Sequence, residues 1–226
     1  MDYEEAVAKA PPGWSHFSID DVARLPQKVR RHELARVPPH EPDERVLRAL
    51  FWTLVYHLEP EKWDQLAGVE PIHPDLIAAL PPRAATAIDV GAGSGRLTRH
   101  LVERCPEVVA IEPSNGLRAI LTARLPAVRA VNAWAEALPI PDGWSELTSA
   151  CGAFGPDTQI VGELQRVTKR GGHVALISPE QPEWFEANGW RRINAPPIAA
   201  SPHAAWIEEF FGPLDPPHEM VLIRIG

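Results

Sequence analysis

Hydrophobic and polar positions follow two different patterns along the chain. Up to about residue 82, apolar residues recur at three- and four-residue steps between proline breaks. The clearest stretch runs from Asp43 to Leu58, where Val46, Leu47, Leu50, Phe51, Leu54 and Leu58 share one helical face. Asp43 and Glu44 stand at its dipole-favoured start. Shorter helices are predicted over 61–67 and 74–80, and a polar, moderately amphipathic one over 19–37 that Pro26 can interrupt. Pro81-Pro82 ends this helical section, which shows no strand pattern.

From Ala84 onward, short apolar runs alternate with helical stretches. Strands are predicted at 86–90, 108–111, 128–131, 147–151 and 173–177, with helices at 94–104, 115–124 and 157–169. Gly171-Gly172 is expected to form the tight turn into the last of these strands, since glycine accepts positive φ. The remainder reads as a helix over 183–188, a strand over 190–193, a helix over 203–211 and a strand over 220–225. Such alternation predicts an α/β fold with a mainly parallel sheet covered by helices on both faces. The expected organisation is a helical segment, 1–82, followed by an α/β domain, 83–226.

Composition narrows the function classes. Hydrophobic residues make up 45% and charged residues 23% of the 226, as in an ordinary globular protein. The 22 Lys+Arg against 30 Asp+Glu leave a formal charge of −8, which argues against a dedicated nucleic-acid binder. No apolar run approaches the roughly 18–20 residues of a membrane span. The opening MDYEEAVAKAPPG is acidic and lacks the apolar centre of a secretory signal. Cys105 and Cys151 make neither a disulfide framework nor a zinc cluster, so a cytoplasmic, reducing setting is the expectation. The 25 prolines fall mostly between periodic segments, where they stiffen loops.

Three segments carry candidate chemistry. Asp89-Val90-Gly91-Ala92-Gly93-Ser94-Gly95 joins the first strand of the α/β part to its helix. Glycines there either make a tight strand–helix turn or let the backbone approach a ligand at the carboxyl end of the strand. Their spacing departs from the dinucleotide fingerprint, with Arg96 at the sixth position. Glu112 ends the second strand, where a carboxylate can grip a ribose diol. The stretch 132–142, with Leu138-Pro139 and Pro141-Asp142, shapes a loop that can close over an aromatic base. No segment has metal-ligand spacing; His32-Glu33 begins no zinc motif, because position 36 is Arg36. The basic run Gln27–His32 reads as a solvated helix face.

The segments AIDVGAGSGRLTRHL, VVAIEPSNGLRAIL, NAWAEALPIPDGWSELTSACGAFG and ELQRVTKRGGHVALIS, in that order over residues 84–178, resemble the class I S-adenosylmethionine-dependent methyltransferases. The likeness is to their small-molecule branch of ubiquinone/menaquinone-biosynthesis type (methyltransferase type 11). The resemblance implies a Rossmann-like seven-stranded sheet whose last strand is antiparallel, a helical N-terminal cap acting as a substrate lid, and S-adenosylmethionine as cofactor. It implies a small-molecule methyl acceptor, in-line and proximity-driven transfer, and no metal.

Carried over residue by residue, the resemblance places Gly91, Ala92, Gly93 and Gly95 against the methionine part of the cofactor, with Asp89 bracing that loop. Glu112 would bind the ribose hydroxyls. Pro113, Ser114, Trp134, Ala135 and Glu136 would border the adenine, and the stretch 150–154, with Cys151 and Phe154, the sulfonium and the acceptor. Tyr56 and Trp63 are candidate acceptor contacts, and His57 and His73 candidate bases; packing roles are the alternative for all four. Two positions depart from the family: Trp134, where an acidic or small polar residue is common, and Ser145-Glu146, where Phe-Asp is common. Competing readings are a methyltransferase fold that binds without catalysing and a nicotinamide-dependent oxidoreductase. The glycine spacing and the absence of a Tyr-x-x-x-Lys pair oppose the latter.

Overall fold

The computed structural model describes residues 3–34 and 44–226. Its helices, in chain order, are α1 (Tyr3–Lys9), α2 (Ile19–Arg24), α3 (Gln27–His32), α4 (Glu44–Leu58), α5 (Pro60–Val69), α6 (Pro74–Ala79), α7 (Thr98–Val102), α8 (Asn115–Arg124), α9 (Thr158–Val167), α10 (Pro182–Ala187) and α11 (Trp206–Phe211). The strands are β1 (Thr86–Val90), β2 (Glu107–Ile111), β3 (Arg129–Val131), β4 (Ser145–Cys151), β5 (Thr168–Ile177), β6 (Arg191–Asn194) and β7 (Glu219–Arg224). Two compact units result: Met1–Val69 with Pro202–Leu214, and Glu70–Ser201 with Asp215–Gly226. The sequence suggested a boundary at 82–83. In the structure α6 belongs to the sheet unit and α11 to the helical unit, so each unit is assembled from two pieces of chain. Among the described residues no helix is long and apolar enough to cross a membrane.

Within the helical unit, α4 buries Leu47, Phe51, Leu54 and Val55, the stripe its periodicity demands. Asp43 and residues 35–37 lie outside the described residues. The polar stretch is divided as Pro26 requires, into α2 and α3. Ser18 and Asp21 form a reciprocal cap at the start of α2. In α3 only Val29 is buried, and the basic side chains around it face solvent. Phe51 is fully buried and meets Phe17, Phe210 and Phe211 at ring distances of 5.9, 5.6 and 6.3 Å. Trp52 stacks between Tyr56 and Phe211. Deeper in this unit, the His57 Nε2–H donates to Glu33 Oε1 at 3.0 Å while Thr53 Oγ1 donates to Glu33 Oε2 at 2.9 Å.

The sheet unit holds one seven-stranded sheet in the order β3-β2-β1-β4-β5-β7-β6. Strands β1 to β5 are parallel; β7 runs antiparallel to both β5 and β6. The sheet is apolar on both faces, as a helix-covered parallel sheet requires. Ala87 and Leu147 belong to one core, and Ile88, Val90, Val109 and Ile111 to the other. Strand order reverses between β1 and β4, which makes the carboxyl ends of those strands the place for a ligand.

Three segments differ from expectation. α7 is confined to Thr98–Val102 rather than 94–104, because positive φ at Gly93 (57°) and Gly95 (99°) keeps the preceding residues in turns. β5 begins at Thr168, so Gly171-Gly172 lies inside the strand as a bulge. The register jumps there from Ser145↔Thr168 to Leu147↔His173, and a Cβ on Gly172 would meet the Glu146 carbonyl oxygen at 2.8 Å. Finally, α1 and a 3-10 turn over Pro12–His16 precede the first helix read from the pattern; both are too short for an apolar period to register.

Candidate cofactor site

At the carboxyl end of β1 the chain turns through Gly91, Gly93 and Gly95, all at positive φ. Gly91 has a second constraint: a Cβ on it would lie 2.8 Å from the Ala153 Cβ. The loop after β4 therefore presses against this turn. Beneath the turn Asp89 is 1% exposed. Its Oδ2 accepts from the Thr98 hydroxyl at 2.6 Å, whereas its buried Oδ1 has no hydrogen-bond partner. Burial pushes the Asp89 carboxyl up to about 7, and the charge of Glu112 adds to the rise.

Glu112 follows directly on β2 and is buried as well. One carboxylate oxygen accepts from Gly93 N at 2.8 Å and the other from Ser114 N at 2.7 Å. The side chain thus ties the glycine turn to the end of β2. Each carboxylate oxygen can accept more than one hydrogen bond. Ser114 in turn caps α8, its hydroxyl accepting from Leu117 N. Gly91 N and Ala92 N both donate to the Ile111 carbonyl, a second link from turn to strand end.

Arg96 follows the turn and is nearly buried, with 10% of its side chain exposed. Its Nη1 lies 3.3 Å from Glu70 Oε2, and Glu70 Oε1 accepts from Asp215 N at 2.9 Å. Burial raises the Glu70 carboxyl, opposed by the Asp215 N–H and the Arg96 charge. Burial likewise pushes the Cys151 thiol up, with Arg96 opposing. The Glu70–Arg96 pair had no sequence signal, since the two residues belong to different elements 26 positions apart.

The structure brings Asp89, the glycine turn, Glu112, Pro113, Ser114 and Cys151 together at the carboxyl ends of β1, β2 and β4. Phe154 approaches Gly91, with a ring carbon 3.8 Å from where a Cβ would stand. Trp134, Ala135 and Glu136 are partly buried in the loop after β3, and Ala135 packs against the apolar core on that face. His73 caps α6, its Nδ1 accepting from Asp75 N at 3.1 Å. That bond places the proton of the neutral ring on Nε2. His57 has the opposite arrangement: with Nε2–H given to Glu33, Nδ1 is its basic nitrogen. Tyr56, Trp63 and His57 belong to the helical unit, where Tyr56 and Trp63 meet edge to face at 5.0 Å.

Glu146, one of the two departures, stands at the amino end of β4, the opposite edge of the sheet from the glycine turn. It accepts from Ala85 N at 2.8 Å and pairs with Lys169, which holds its carboxyl below the usual range. There it fastens strand ends, at the edge of the sheet away from the glycine turn. Among the described residues no three His, Cys, Asp or Glu side chains are grouped to hold a metal.

This geometry fits S-adenosylmethionine. The glycines at 91, 93 and 95 put no side chain in the way of an amino-acid group, the unpartnered Asp89 oxygen can accept from an ammonium, and Glu112 is a carboxylate of the kind that accepts from a ribose diol. Residues 87–172 match the methyltransferase-domain family. An uncharacterized methyltransferase of Mycobacterium tuberculosis is 33% identical over 115 residues, 50% of this chain and 46% of that one. A trans-aconitate 2-methyltransferase of Azoarcus sp. is 32% identical over 156 residues, 62% of this chain and 60% of that one. The chain therefore spans about half the length of the mycobacterial relative. In fold, it is similar to a protein of Methanococcus maripaludis assigned as an S-adenosyl-L-methionine-dependent methyltransferase. That likeness has a TM-score of 0.51 at 16% identity and covers 74% of this chain and 90% of the other.

Proposed function

We propose, from the premise that residues 87–172 form a class I S-adenosylmethionine-dependent methyltransferase domain, that this protein transfers a methyl group from S-adenosylmethionine to a small molecule without a metal. The observation that carries the reading is the glycine turn bound to Glu112, above a buried Asp89 with one carboxylate oxygen unpartnered. When bound, the cofactor supplies a methyl group already activated on a sulfonium. What the protein adds is alignment in a site shielded from water, a contribution of about several kcal/mol in well-oriented reactions. Asp89 holds the ammonium of the amino-acid end beneath the glycine turn, and Glu112 holds the ribose. Pro113, Ser114, Trp134, Ala135 and Glu136 border the adenine. Cys151 and Phe154 flank the reacting centre.

For the acceptor, the name of the Azoarcus relative supports a small molecule, since that protein acts on trans-aconitate. Within the sheet unit, the acceptor contact is assigned to Phe154.

A thermal-shift titration with S-adenosylhomocysteine, with NAD in parallel, tests this reading. A ligand at about 100 times its Kd adds roughly 2.7 kcal/mol. In a chain of this size that raises the melting point by about 5–10 °C. A shift with S-adenosylhomocysteine alone supports the reading and justifies screening acceptors for the mass of one methyl group. A shift with NAD alone would replace it by the oxidoreductase reading. No shift with either would favour a fold without the chemistry.

A further inference from the structure

Strand β3 leads into the loop 132–143, and one stripe of α9 grips the backbone of that loop along most of its length. Gln159, Glu163 and Arg166 stand at i, i+4 and i+7, so they share a face. Gln159 Nε2 donates to the Glu136 carbonyl at 3.1 Å, and Glu163 Oε2 accepts from Leu138 N at 2.8 Å. Arg166 makes the densest set of contacts. Its Nη2 donates to the Leu138 carbonyl at 2.9 Å and to Glu163 Oε2 at 2.8 Å. Its Nη1 donates to the Ile140 carbonyl at 2.9 Å and to Asp142 Oδ1 at 2.6 Å, and its Nε to Glu163 Oε1 at 2.6 Å. Every one of the five guanidinium N–H groups therefore has an acceptor. The Arg166 carbonyl closes the set by accepting from Gly143 N at 2.8 Å.

The neighbouring face of α9 is apolar. Ile160, Val161, Leu164 and Val167 share a core with Leu138 and Ile140, which point inward from the loop. Asp157 fixes the start of the helix by accepting from Gln159 N and Ile160 N. The loop is thus held by hydrogen bonds along one stripe and by burial along the next. A planar fork is required here, since a lysine has no geometry for reaching two carbonyls and two carboxylates at once.

We infer that Arg166, seconded by Glu163 and Gln159, is a positioning residue for the adenosine half of the cofactor site: it holds the loop carrying Trp134, Ala135 and Glu136 in the binding-competent shape before the cofactor arrives. This rests on the methyltransferase reading, which places adenine beside that loop. Arg166 touches no reacting atom; it acts through the loop.

The test uses the full chain and two probes, S-adenosylhomocysteine and adenosine, titrated calorimetrically at a temperature well below melting. Arg166→Lys and Arg166→Gln are compared with the unaltered protein, and hydrogen exchange is followed at Leu138 and Gly143 and at the β1 amides. If the clasp keeps most loops competent and its loss leaves about a tenth so, both ligands bind about tenfold more weakly in both variants, by the same factor. Exchange quickens at Leu138 and Gly143 but not in β1, a pattern that general destabilisation would not give. Unchanged affinity in either variant overturns the inference. So does a loss confined to S-adenosylhomocysteine, which would place the effect at the glycine turn. If the unaltered protein bound neither probe, the methyltransferase reading itself would fall, and the exchange data would still report whether Arg166 holds the loop.

Discussion

In the proposed cofactor site, Asp89 makes binding depend on pH in a definite direction. Its carboxyl stands at about 7, chiefly because it is buried and secondarily because Glu112 is negative, against the lowering influence of Thr98 and Arg96. Below that value the group is neutral in the free protein. In the proposed pose, an ammonium brought against Oδ1 would favour the charged form, so binding would expel a proton. Affinity for S-adenosylhomocysteine should then rise by up to about tenfold per pH unit, about 1.4 kcal/mol, between roughly pH 5 and 7, and level off above. Calorimetry in two buffers of different ionisation enthalpy counts the released proton directly. Asp89→Asn, which keeps the size and an acceptor for the Thr98 hydroxyl, should abolish both the slope and the proton. A flat affinity across that range would refute the argument, as would a slope that survives Asp89→Asn. The same shift acts oppositely on folding. The folded chain keeps a proton that the unfolded chain, at the ordinary 3.8, has lost. Between about pH 4 and 7 this one group therefore lowers stability as pH rises, by at most about 1.4 kcal/mol per unit.

Three further outcomes can be measured on purified protein. Glu112→Ala leaves the buried N–H groups of Gly93 and Ser114 without their acceptor, about 1–3 kcal/mol for each, so denaturant midpoints fall and S-adenosylhomocysteine no longer shifts melting. Gly91→Ala pairs a φ of 69° with a contact of 2.8 Å to the Ala153 Cβ; a loss of at least about 1–2 kcal/mol is expected from the backbone alone, together with loss of binding. Glu33→Ala removes the acceptor of both His57 and Thr53 inside the helical unit and should cost about 1–3 kcal/mol, seen as a lower melting temperature; an unchanged one would mean that water replaces the carboxylate.

The parts of this molecule that local patterning encodes were legible from the sequence. β1 and α8 match the predicted 86–90 and 115–124, because one is a short apolar run into glycines and the other an apolar period opening on Ser114. The glycine turn and Glu112 were found as the two ends of neighbouring strands. What local pattern cannot encode is partnership across the fold. The bond from Gly93 N to Glu112, the pair Glu70–Arg96 and the grip of Arg166 on Leu138 and Ile140 each join residues 19 to 28 positions apart. Glu163 and Arg166 could have been noticed as an i,i+3 pair, but nothing in the sequence says that the pair faces a loop backbone rather than water. The bulge at Gly171-Gly172 escaped for a related reason: two glycines mark a turn and a strand irregularity equally well.

The sheet order has a bearing on how the nascent chain matures. β7 fills the place between β5 and β6, so until residues 219–224 have been made β5 shows an unpaired edge along Val174–Ile177 and β6 has no neighbour. Pro202–Leu214, which complete the helical unit, are made just before. Both cores therefore close over one stretch, from Pro202 to Arg224, and neither unit can be produced whole as a single contiguous fragment. A ribosome stalled or a chain cut ahead of Glu219 would release a species with an apolar strand edge open to self-association, the kind of substrate that chaperones retain.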